Sequence, residues 1–167
     1  MIFSRFLWVC TFLLATNSGA ADLAVGLPAP LIEAKLLDSS VKVQVGHASG
    51  KVVILNFWAT WCAPCRAEMP AIQAYYDQHQ AQGLEVLAIS MDDPRNLAEV
   101  RQVAQSYSFP IALKTEADFK GLGRIWRMPS TFVVDKKGIL RKNGHEGNPV
   151  VDLESLEALV TPLLTQP

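Results

Sequence analysis

The run VVILNFW, Val52–Trp58, is apolar at every position except Asn56. A strand with one wet face alternates polar and apolar residues, so this run, with Gly50 and Lys51 ahead of it, reads as a strand buried on both faces. Such a strand needs a covering layer on each side of its sheet. A chain of 167 residues, 50% apolar and 19% charged, can bury a core of that kind as a single domain. A second run, LEVLAIS at Leu84–Ser90, has the same character, and the stretch between the two is helical in pattern. The fold class is therefore α/β.

The remaining elements are read in order around these two strands. LAVGLPAP, Leu23–Pro30, is rich in Gly and Pro and makes an extended lead-in. Apolar runs at Leu31–Leu37 and Val41–Val45, separated by Asp38, Ser39 and Ser40, predict a hairpin. From Ala63 to about Gln80, apolar or small residues at Ala67, Ala71, Ile72 and Tyr75 predict a helix kinked at Pro70 and ended by Gly83. A second helix spans Asn96–Ser106, with Asp92 or Asp93 as its cap. FPIALK supplies a short strand, Phe119–Ile125 a short helix, and STFVVD with GILRKNG a hairpin across Asp135–Gly138. An amphipathic helix over Val151–Leu164 closes the chain. The expected architecture is a sandwich built on a mixed sheet, preceded by a hairpin.

The N-terminal residues follow another logic. Arg5 is the only early charge, the stretch Phe6–Ala15 is apolar, and Ser18, Gly19, Ala20 and Ala21 are small. This is the layout of a secretory signal cleaved after Ala20, which divides the chain into residues 1–20 as signal and 21–167 as the folded domain. The alternative is an uncleaved anchor, for which the apolar run is short against the roughly 20 residues a spanning helix needs. Cys10 falls inside the apolar region and leaves with it, so Cys62 and Cys65 are the two cysteines of the mature chain. Export would place them in an oxidising compartment, the periplasm, where disulfides form and persist.

Three chemistries compete for the pair in WCAPC. A structural zinc site takes four ligands, and no second C-x-x-C or paired histidines accompany these two. His47, His79 and His145 are isolated and read as solvated surface residues. Copper(I) held by the two thiolates stays open as a metal-delivery alternative. A purely structural staple removes little chain entropy across so short a loop. A redox centre accounts for more: a C-x-x-C at a strand-to-helix junction puts the first sulfur at a helix N-terminus, where the dipole favours the thiolate. Cys62 is then the exposed attacking sulfur and Cys65, one turn in, the resolving one. Pro64 restricts the loop between them.

NFWATWCAPC followed at a distance by MPSTFVVD resembles the thioredoxin superfamily, and more closely the exported TlpA/ResA-like thiol:disulfide oxidoreductases. The likeness spans about Ala24–Leu164. It implies a thioredoxin-like three-layer sandwich with a mixed central sheet, an N-terminal β-hairpin and a helix–strand insertion between Leu84 and Pro129. It also implies that Met128–Pro129 is a cis peptide facing the cysteines, with Met128 offering backbone hydrogen bonds to an extended substrate. Without the resemblance, Pro129 reads as an ordinary strand-start proline. Trp61 becomes a partly exposed wall beside Cys62, with Ala63 and Pro64 completing the substrate-facing surface, while Trp58 is core. Tyr75, Tyr76, Phe109 and Trp126 are assigned to the core or its margin.

One departure from the pattern concerns the proton acceptor. Cytoplasmic thioredoxins carry a buried aspartate where this chain has Asn56, and exported members place an acid at the end of the next strand, where Asp93 stands. Asp93 is thus a candidate for proton transfer and equally a helix cap. Glu68, three residues beyond Cys65 on the helix, reads as a solvated charge.

The implied activity is dithiol–disulfide exchange with protein substrates without a bound cofactor, and in the reducing direction, as in cytochrome c maturation, with electrons from a membrane thiol donor. A disulfide-donating oxidant is the other direction. With a net charge of -1 and no basic stripe, nucleic acid is not an expected partner. No heptad or apolar stripe demands a dimer, so a monomer is expected. GLGRIW lacks the third glycine of a dinucleotide fingerprint, and a peroxiredoxin reading does not account for the second sulfur.

Overall fold

The computed structural model describes residues 23–46 and 48–166. The expected signal segment, Cys10 and His47 lie outside them. Seven strands form one sheet in the order β2-β1-β5-β4-β3-β6-β7. They are β1 Ile32–Leu36, β2 Lys42–Val45, β3 Val52–Trp58, β4 Leu84–Ser90, β5 Ile111–Asp118, β6 Ser130–Val134 and β7 Leu140–Lys142. The helices are α1 Ala63–His79, α2 Leu97–Ala104 and α3 Leu153–Leu164.

All seven residues of β3 are buried, as its composition requires. It pairs parallel with β4 (Asn56 opposite Ala88) and antiparallel with β6 (Asn56 opposite Thr131). Because side chains alternate across a strand, β3 feeds two cores. Val52, Ile54 and Trp58 join Met69, Ile72 and Tyr75 of α1, Val100 of α2, and Leu156 and Val160 of α3. Val53, Leu55 and Phe57 join Leu87, Ile89, Phe132 and Leu140, with Leu23, Ala29 and Phe119 packed against them. The lead-in and the segment after β5 thus cover the side that the three helices do not.

The N-terminal hairpin forms as expected, Ile32 opposite Val45, and β1 also pairs antiparallel with β5. The inserted α2 and β5 extend the sheet: β5 runs parallel to β4 and, at eight residues, is longer than FPIALK suggested. Its last residues, Lys114–Asp118, are polar and mostly exposed. They lack an apolar signal because they pair along β1 beyond the core. Phe119–Ile125 contains only one 3-10 turn, Lys120–Leu122. Glycine at 121 and 123 denies it a longer helix. The second helix likewise begins as a 3-10 turn, Pro94–Asn96, before α2.

α1 continues through Pro70, whose side chain faces solvent. It passes into a 3-10 turn closed by Gly83, at φ 92°, a left-handed conformation that favours glycine. α3 opens on a reciprocal cap: Asp152 accepts from the Ser155 N–H at 2.8 Å, and Ser155 Oγ accepts from the Asp152 N–H at 2.9 Å.

Candidate functional site

The cysteines sit where β3 hands over to α1. Cys62 is the N-cap of α1, and its Sγ accepts a hydrogen bond from the Cys65 N–H at 3.3 Å. A disulfide joins the two residues, with Cα atoms 5.3 Å apart. Four N–H groups at a helix start have no helical partner, so a sulfur in this place is the natural recipient of their positive end. Cys62 keeps 5% of its surface and Cys65 none. Cys62 is therefore less open than the attacking sulfur pictured from sequence, although the order of access is as expected. Ala63 and Pro64 are exposed beside it, and Trp61 is 65% exposed.

The handover loop is held from below by Asp92. Its carboxylate accepts from the Thr60 N–H at 2.9 Å, the Thr60 hydroxyl at 2.6 Å and the Ser90 hydroxyl at 2.9 Å. The Met91 N–H donates to the Trp58 carbonyl at 2.8 Å. The end of β4 thus fixes the two residues that precede Trp61.

Immediately before β6, whose first residue Ser130 pairs with Phe57 of β3, the Met128–Pro129 peptide is cis. Pro129 is buried, and Met128 packs against the cluster that contains both cysteines. Ser130 enters β6 immediately afterwards, donating from its hydroxyl to the Gly144 carbonyl at 3.0 Å.

The acids are distributed differently from the sequence reading. Asp93 is half-exposed and caps the 3-10 turn after β4: its Oδ1 accepts from the Arg95 N–H at 3.0 Å and from Arg95 Nε at 2.8 Å. The hydrogen bond from the Arg95 side chain holds the Asp93 carboxyl below the usual range. So engaged, this carboxylate is a cap, one of the two compatible roles the sequence offered for it.

Glu68 is 2% exposed rather than solvated. Its Oε1 accepts from Asn56 Nδ2 at 2.7 Å and its Oε2 from the Val151 N–H at 2.9 Å. Asn56 Nδ2 also donates to Thr131 Oγ1 at 3.0 Å. Burial raises the Glu68 pKa to about 7, against the lowering effect of these hydrogen bonds and of the Lys142 charge. On a helix, residues three apart share a face, so Glu68 lies one turn beyond Cys65 on the same buried side of α1. The signal was present in the sequence: an asparagine in the middle of a strand buried on both faces needs a buried polar partner, and Asn56 finds it in Glu68.

Three further residues depart from expectation. Trp126 is 63% exposed instead of lying at the core margin. His79 is 9% exposed, its ring tilted at 38° against Tyr75 with centroids 4.3 Å apart, and placed 3.5 Å from Glu157. His145 is half-buried, 2.8 Å from the Leu122 carbonyl through Nε2. Trp58, Tyr75 and Phe109 are core as predicted. Among the described residues, no group of three or more His, Cys, Asp or Glu is placed to hold a metal ion, and no helix is long and apolar enough to cross a membrane.

Comparison with known proteins agrees with this geometry. The AhpC/TSA family model matches residues 25–143, which include both the C-x-x-C and the cis-proline. The chain is 35% identical over 117 residues to the thiol-disulfide oxidoreductase ResA of Oceanobacillus iheyensis, covering 68% of this chain and 61% of that one. It is 37% identical over 122 residues to the thioredoxin-like protein YneN of Bacillus subtilis, covering 70% of this chain and 68% of that one. With ResA of Geobacillus thermodenitrificans the match spans 53% of that protein's length, so the chain covers only part of such relatives. Among solved structures, StoA from Bacillus subtilis superposes with a TM-score of 0.59 at 25% identity, over 80% of this chain and 98% of that one. A thiol:disulfide interchange protein from Chlorobium tepidum shares the fold at a TM-score of 0.67 and 22% identity, over 84% and 98% of the two chains. With its cysteine pair at the cap of α1, its cis-proline at the start of β6 and these relatives, the chain belongs to the AhpC/TSA family, as a ResA-like member of the thioredoxin superfamily.

Proposed function

We propose that this protein is an exported thiol:disulfide oxidoreductase that reduces disulfides in protein substrates, cycling between the Cys62–Cys65 disulfide and the dithiol without a bound cofactor. The observation that carries the reading is the sulfur of Cys62 at the N-cap of α1, accepting from a helix N–H. In the reduced protein the same cap stabilises a Cys62 thiolate. That thiolate attacks one sulfur of the substrate disulfide and releases the other as a thiolate, leaving a mixed disulfide. Cys65 then attacks Cys62 Sγ, so the second substrate sulfur departs and the intramolecular disulfide returns. Two electrons have passed to the substrate.

The buried Cys65 must lose a proton before its attack. Glu68, buried one turn away with its pKa near 7, is matched to accept it at neutral pH and to return it when the pair is reduced again. Met128 and Pro129 support an extended substrate segment next to Cys62, and Trp61, Ala63 and Pro64 form the other wall. A membrane thiol donor resupplies electrons, and the N-terminal 20 residues direct export, to the periplasm. Cytochrome c precursors, with paired cysteines, are a substrate class that suits a reductant of this kind. The protein acts as a monomer.

Redox titration tests the direction. Equilibrating the mature protein in dithiothreitol or glutathione buffers should give a potential near or below about -250 mV, as for a reductant; a value near about -120 mV would instead mark a disulfide donor. Failure of the reduced protein to reduce insulin or a small aromatic disulfide would reject exchange altogether. Copper bound stoichiometrically in its place would support the metal-delivery alternative.

A further inference from the structure

Two exposed indoles flank the C-x-x-C and the cis-proline in sequence. Trp61 immediately precedes Cys62, and Trp126 stands two residues before Met128. They are 65% and 63% exposed, the most exposed of the large apolar side chains among the described residues. Trp61 has an evident place in the exchange site, whereas Trp126 has none so far.

The Trp126 indole is held in position although it faces solvent. The His145 ring stacks on it, nearly parallel at 13° with centroids 6.4 Å apart. The Arg127 guanidinium lies 5.3 Å from the indole centroid. Both supports are themselves fixed. Arg127 donates to the carbonyls of Gly144, Glu146 and Gly147 at 2.9, 2.7 and 3.2 Å. His145 meets the Leu122 carbonyl at 2.8 Å and packs edge-on against Phe132 at 5.3 Å. An exposed aromatic ring that is already immobilised loses little freedom on binding, which is the condition under which tryptophan contributes most to an interface.

The backbone beside it is equally available. Among the described residues, neither the N–H nor the C=O of Trp126, Arg127 or Met128 has a backbone partner. The stretch bends at Arg127 and Met128 before β6 begins, and its open main-chain groups can pair with those of an incoming polypeptide, whose main chain supplies affinity and whose side chains supply selectivity. Two residues of extended chain span roughly 7 Å. A substrate segment with its cysteine beside Met128 therefore has a side chain two positions away that can reach the neighbouring indole.

We propose that Trp126 is a specificity-determining residue of the exchange site, seating an apolar or aromatic side chain two residues from the reactive cysteine of an extended polypeptide substrate. The assignment rests on the exchange function proposed above. Its occupant is a polypeptide because the unpaired main chain and the ring act together, and only an extended chain meets both.

The test compares two disulfide-closed peptides, identical except for Phe or Ser at the two positions flanking the attacked cysteine at a distance of two residues. Their second-order reduction rates are read beside that of a small aromatic disulfide. The wild-type protein should prefer the Phe peptide. Trp126→Ala should lower the rate for that peptide about tenfold, leaving the Ser peptide, the small disulfide and the redox potential unchanged. Trp126→Phe should retain most of the preference, separating lost contact from lost folding. Equal rates for the two peptides with wild-type protein, or equal losses on all three substrates in Trp126→Ala, overturn the assignment while leaving exchange intact. A wild-type protein that reduces none of them overturns both.

Discussion

Asn56 Nδ2 lies 2.7 Å from Glu68 Oε1, joining the centre of β3 to the second turn of α1, one turn beyond Cys65. The amide donates where a carboxylate would repel. With the Val151 N–H on the other oxygen, it favours the charged form, and burial outweighs both donors to raise the Glu68 pKa to about 7.

Glu68 should make stability fall as pH rises. Its folded pKa is about 7, above the roughly 4.3 of an exposed glutamate, so the folded state holds a proton that the unfolded state releases between these values. Lys142, the charged group facing it, only partly offsets the shift. The loss should total about 3 kcal/mol between pH 4.5 and 7.5. Glu68→Gln should flatten that slope in chemical denaturation and remove a step near pH 7 from the rate of mixed-disulfide resolution. An unchanged slope would remove Glu68 from both roles.

Replacing either sulfur should separate the two halves of exchange. Cys62→Ser should abolish turnover with any disulfide. Cys65→Ser should accumulate covalent adducts with protein substrates, visible on non-reducing gels and released by dithiothreitol, because no second thiol is in place to resolve them. Full turnover by Cys62→Ser would reverse the assigned order of attack.

Asp92→Ala should loosen the loop that carries Trp61 and Cys62. The substitution leaves the Thr60 N–H without its partner and removes the acceptor for the Thr60 and Ser90 hydroxyls. Losing hydrogen bonds to a charged acceptor should cost about 2–4 kcal/mol in denaturant unfolding. Hydrogen exchange at the Thr60 amide should rise more than at β6.

Gly144→Ala should destabilise through overpacking. A Cβ there would meet Ser130 Oγ at 2.5 Å and the Phe132 ring at 2.6 Å. Both neighbours belong to a strand with no room to yield, so the cost should be about 1–3 kcal/mol by thermal or denaturant unfolding. The Trp126 platform should suffer with it, since the Gly144 carbonyl holds both Arg127 and Ser130.

The strands, the helices and the sulfurs of this protein were set by local sequence. Val52–Trp58 had to be central because none of its faces tolerates water, and the C-x-x-C had to fall at a helix cap because it follows that strand directly. The cis Met128–Pro129 peptide was legible only through family resemblance. Tertiary structure decided the rest. Periodicity left Glu68 on solvent, and the docking of α1 and α3 buried it against β3 and the Val151 amide. Asp93 looked equivalent to Asp92, until the turn after β4 sent one outward to Arg95 and the other inward to Thr60. Trp126 is apolar and was expected inside, but the anchoring of Arg127 and His145 to distant carbonyls leaves it on the surface. Each of these outcomes depends on partners more than ten residues away in sequence or on the direction of a single turn, and neither is encoded in the local pattern of apolar and polar residues.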